Sequence, residues 1–163
     1  MRAAVRVLAV VLLCALAVGG AAAVPVDRAL VVSDAETGER LLVVPVEENT
    51  TVALEYTHSV EKTRVLDAYA VRGDRLVMTR MDFQSYGWGL PADANVTVTD
   101  GGDFTFDPAG SYRELYVNPG RVAGHELHVG NGTYDLVGRS DARPVRLSVD
   151  RRSALDIALS FLS

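Results

Sequence analysis

At 163 residues, 48% of them apolar, the chain is long enough for one packed domain plus a terminal segment, and its composition does not suggest disorder. A net charge of −5, with no basic run and no basic-aromatic patch, argues against nucleic acid and anionic lipid as partners. The single cysteine, Cys14, sits in the N-terminal apolar run, so disulfides, cysteine-based zinc sites and thiol catalysis are excluded from the domain behind it.

The chain opens on a short basic stretch containing Arg2 and Arg6, followed by the continuous apolar run from Val7 to Val18. Gly19 to Ala23 is small, and Ala21-Ala22-Ala23 matches an A-x-A cleavage site, which completes the three-part form of a secretory signal. Val7 to Val26 carries no charge and is also about long enough for one membrane span, so an uncleaved anchor is the alternative. Residues 1–23 are thus expected to be a signal peptide or membrane anchor, with membrane contact only through residues 1–26 if uncleaved. Residues 24–163 are expected to form a single β-rich domain outside the cytoplasmic membrane. Three N-x-T sequons, at Asn49, Asn95 and Asn131, are candidate glycosylation sites in an exported chain. Lys62 is the only lysine, the other basic residues being arginine; with the acidity this resembles haloarchaeal composition.

Beyond the leader the sequence reads as short strands. Ala29–Ser33 and Leu41–Val46 flank a turn at Glu36-Thr37-Gly38. Val52, Leu54 and Tyr56 alternate with Ala53, Glu55 and Thr57, the period of a half-buried strand. Val65–Val71 and Leu76–Phe83 are joined by the compact turn Arg72-Gly73-Asp74-Arg75. Val96–Thr99, Phe104–Phe106, Leu115–Val117, His125–Val129, Tyr134–Val137 and Val145–Val149 complete the series, mostly separated by Gly or Pro. Many short strands with frequent turns predict an all-β fold, an antiparallel sandwich or barrel. Ser153 before Ala154-Leu155-Asp156, with Leu155, Ala158, Leu159 and Leu162 on one face, predicts a short C-terminal helix.

Antiparallel neighbours joined by tight turns place the turn from His58 to Thr63 and the loop from Gln84 to Pro91 at the same end of the sheet. That end collects His58, Ser59, Glu61, Lys62, Arg64, Gln84, Ser85, Tyr86, Gly87, Trp88, Gly89 and Pro91, a candidate binding or structural loop cluster. His58 is either a packed residue bonded to a backbone carbonyl or, as the sharper alternative, a general base or metal ligand. Ser59 points away from it by strand alternation, and Ser85 is the better geometric partner, though without the context of a nucleophile elbow. Glu61 and Lys62 sit at a turn, where a solvated pair is the default. Trp88 between two glycines is either a lid over the core or a stacking platform. His125 and His128 fall on opposite faces of one strand, so they are not expected to share a metal. No catalytic residue, metal or cofactor is assigned.

Thr57-His58-Ser59-Val60-Glu61-Lys62-Thr63, then the hairpin with Tyr69 and Gly73, then Gly87-Trp88-Gly89-Leu90-Pro91, resemble the domain of unknown function family 1850 over roughly residues 50 to 149. The resemblance implies a small exported β-rich protein of the kind often encoded beside TRAP transporters with a TAXI-type solute receptor. It implies no catalytic residues. The expected function is that of a non-enzymatic extracytoplasmic accessory protein of TRAP-type solute uptake, binding a small solute or a transporter component. The transporter or its solute receptor would be the partner. The alternatives are an exported hydrolase using His58 with Ser85 or Glu61, and a structural cell-envelope protein.

Overall fold

A computed structural model describes residues 25–84, 96–99 and 102–153. The leader, Asn95, the stretch from Ser85 to Pro91 and the helix expected after Ser153 lie outside the described residues.

The described chain is built from antiparallel strands in two sheets, and the sheets do not close into a barrel. The first sheet has the order β2-β1-β12-β9, formed by β1 (Pro25–Asp34), β2 (Arg40–Pro45), β9 (Glu114–Val117) and β12 (Val145–Ser153). The second contains β3 (Thr51–Thr57), β4 (Arg64–Arg72), β5 (Arg75–Phe83), β6 (Thr97–Val98), β7 (Phe104–Phe106), β10 (Glu126–Val129) and β11 (Gly132–Asp135). Its order is β11-β10-β3-β4-β5-β7-β6, and β8 (Ser111–Tyr112) pairs with the beginning of β5. The chain therefore passes from one sheet to the other repeatedly; β12 returns to pair with β1, and β9 pairs with the far side of β12.

Alternation explains which side chains meet between the sheets. Leu30 and Val32 of β1 and Val145, Leu147 and Val149 of β12 face Val52, Leu54, Tyr69, Val71, Leu76 and Leu127 from the second sheet. On the opposite face of β1 and β2, Ala29, Val31 and Val43 form a smaller buried cluster. Completely burying a Val, Leu or Phe side chain is worth roughly 1.5–3 kcal/mol, so the inter-sheet cluster dominates the stability of the fold. Turn chemistry sets the connections. Asp34 Oδ1 accepts the backbone N–H groups of Glu36 and Thr37 at 2.9 and 2.8 Å, while its other oxygen pairs with Arg143 at 2.5 Å. These bonds, that from Thr37 foremost, hold the Asp34 carboxyl below its ordinary range.

Tyr134–Val137, expected as one strand, is divided. Tyr134 and Asp135 end β11, and Leu136–Ser140 forms the short helix α1. Asp135 caps it, its side chain accepting Gly138 N–H at 3.0 Å, and Leu136 is drawn into the core. The Ser140 hydroxyl donates to Leu136 O at 2.8 Å within that turn.

Candidate functional site

The turn after β3 is closed by its own backbone. His58 N–H donates to Thr63 O at 2.8 Å and Lys62 N–H to His58 O at 2.9 Å, with Lys62 at φ +57°. The His58 ring takes part in the same turn, Nδ1 accepting Glu61 N–H at 3.3 Å. Ser59, Glu61 and Lys62 are exposed. Arg64 forms a bidentate ion pair with Glu55, at 2.7 and 2.9 Å, on the outer face of the second sheet. The hydrogen bond from Arg64 holds the Glu55 carboxyl below its ordinary value. Gln84 Oε1 lies 3.4 Å from Arg64 N, so the start of the following loop stands beside this turn. Of the remaining loop candidates, Ser85, Tyr86, Gly87, Trp88, Gly89 and Pro91 fall outside the described residues. Asn49 and Asn131 lie on exposed turns, Asn49 at φ +67°.

The two histidines near β10 diverge. His128 faces outward, Nε2 3.3 Å from Glu55 and Nδ1 3.0 Å from the Thr133 hydroxyl. His125, just before the strand, turns inward and stacks on Tyr56 with ring centroids 4.8 Å apart and planes 9° apart. Among the described residues no group of three or more His, Cys, Asp or Glu side chains is placed to hold a metal ion.

That stacked pair leads to a cleft of about 280 Å³ between the sheets. One wall is the inner face of the second sheet, with Leu54, Tyr56, Asp67, Tyr69 and the His125 ring. The other is β9 and its continuation, from Leu115 to Asn118. Register explains the polar floor. Asp67 is paired with Leu54, and it stands between Val65 and Tyr69 on the inward stripe of β4. The Tyr56 hydroxyl approaches Asp67 Oδ2 at 3.4 Å, while Asp67 Oδ1 and His125 Nδ1 are buried with no hydrogen-bond partner among the described residues.

Burial sets the electrostatics. It pushes the Asp67 carboxyl from 3.8 up to about 6, against the smaller opposing effect of the Tyr56 hydroxyl. Burial likewise lowers His125, favouring the neutral ring, and raises the Tyr56 and Tyr69 hydroxyls, to which the nearby Asp67 charge adds. Among the described residues lining the cleft Asp67 is the sole carboxylate, and none is Lys or Arg.

Neither Asp67 nor Tyr56 stands out by motif. The available signal was Val65-Leu66-Asp67-Ala68-Tyr69-Ala70-Val71, in which a carboxylate occupies a position that alternation assigns to the core.

The fold and this site define a two-sheet antiparallel β-domain with an acidic, aromatic-walled cleft between its layers. The chain belongs to the family described as Domain of unknown function (DUF1850), whose model matches residues 52–136, from β3 to the start of α1. No curated protein and no solved structure matches the chain.

Proposed function

We propose that this protein is a non-enzymatic binding domain outside the cytoplasmic membrane, an accessory of TRAP-type solute uptake that holds a small solute between its sheets. The observation that carries the binding reading is the cleft itself, with the Asp67 carboxyl among aromatic rings and Oδ1 unpartnered. A concave site with a few polar groups on an otherwise apolar lining is the usual form of a small-molecule site. Location and transport context rest on the signal-like leader, the sequons and membership of the family.

The hydrolase alternative is not favoured, because the His58 ring is already engaged in its own turn. A thermal-shift screen of the full-length protein with amino acids, small organic acids and small amines tests the binding reading. A ligand present at 100 times its Kd stabilises by about 2.7 kcal/mol, a readily measured rise in Tm. No rise with any class of solute would favour a structural cell-envelope role instead. The transport context stands separately on gene neighbourhood, and an absence of transporter genes beside most relatives would remove it.

A further inference from the structure

We infer that the cleft selects a solute carrying a protonated amine, with Asp67 as its counter-charge and the aromatic rings of Tyr56, Tyr69 and His125 along its lining. This rests on the reading of the cleft as a binding site and adds the chemistry of what enters it.

Two polar atoms of the lining residues are without a partner among the described residues. Asp67 contributes a carboxylate whose Oδ1 has no donor, and a neutral His125 adds a ring nitrogen without a partner. Both atoms are buried, so an incoming amine reaches Asp67 only by turning its carboxylate. The carboxylate torsion is broad, and Asp67 lines the cleft, so such a turn is compatible with its place in the fold. A ligand that satisfies such a surface brings donors and positive charge. An ammonium group brings three donors and one charge, whereas a carboxylate ligand would meet Asp67 with like charge and find no Lys or Arg among the described lining residues.

The rings point the same way. Aromatic faces attract organic cations through their quadrupole, and the attraction strengthens where water is excluded. Leu54, Leu115 and Val117 offer apolar contact to the rest of the molecule. At about 280 Å³ the space suits a compact ligand, such as a single ring or a short chain, rather than a peptide.

Isothermal titration calorimetry of the full-length protein at pH 7.5 with benzylammonium, benzyl alcohol and phenylacetate tests this. Benzylammonium should bind and the alcohol and carboxylate should bind at least about tenfold more weakly, the range expected for a hydrogen bond to a charged group. Asp67→Asn should remove that preference, and Leu115→Trp, which fills the cleft, should abolish binding of the amine. The comparison of the three probes on the unmodified protein stands even if a variant fails to fold. Equal or tighter binding of the alcohol or carboxylate would overturn the inference while leaving a binding cleft. Amine binding unchanged in a folded Asp67→Asn protein would also overturn it. Heat from none of the three would sink the inference, and if the broader solute screen also gave no stabilisation, the binding reading would fall with it.

Discussion

Asp67 is the residue on which most hangs. Its folded-state pKa lies above its ordinary value, so the fold favours the neutral acid. The stability this confers relative to the charged form is complete below pH 3.8 and is lost as pH rises through about 6. The displacement corresponds to up to roughly 3 kcal/mol at neutral pH. Asp67→Asn removes the ionisation, so the variant should be more stable than the parent at pH 7.5, with the difference shrinking toward pH 4. Denaturant melts at the two pH values check this, and a constant difference would contradict the assignment. His58 behaves differently. Its ring accepts one backbone N–H in a partly exposed turn, so His58→Ala should cost about 1 kcal/mol or less and leave solute affinity unchanged. Equilibrium melts and calorimetry on the same variant separate the two effects. Tyr56→Phe removes the hydroxyl near Asp67 while keeping the stacked ring, and it should raise the Asp67 pKa further, visible by carboxyl NMR titration.

At the scale of elements, alternation and turn residues made most strands legible. Val52, Leu54 and Tyr56 do face the core side of β3, and Gly73, at φ +62°, closes the β4–β5 hairpin. Gly73→Ala meets no atom within 4 Å, yet it must hold a left-handed backbone, so it should destabilise by about 1 kcal/mol. Thermal melts measure that directly. What alternation could not show was α1, because Tyr134 to Val137 alternates acceptably until Asp135 is seen to cap Gly138. Nor could it show the cleft. An acid on an inward stripe was visible at Asp67, but the wall opposite it comes from β9, some fifty residues away and in the other sheet. Local pattern says which face of a strand is inward. It does not say what the face will meet. The polar residues of the turn from His58 to Thr63 are adjacent in sequence, whereas those of the cleft are gathered from four separate segments.

At the scale of the molecule, β1 and β12 pair along their length although one begins and the other ends the described chain. Such non-local pairing closes late and slows folding. The amides of β1, β12, β3 and β4, central in their sheets and lined by the core, should be the slowest to exchange with solvent, and those of β6 and β8 the fastest. Hydrogen exchange read by NMR would show the order. The same pairing has a directional consequence. Pro25 lies against Ser153, at the end of the molecule where Arg28, Val149 and Arg151 border the β4–β5 hairpin. Val145 lies against Val117 at the other end, beside the cleft. A tether at Pro25 or at Ser153 would hold the domain by the pole opposite the cleft and present the cleft outward. Protein attached to a surface through that pole should therefore capture solute as well as protein free in solution.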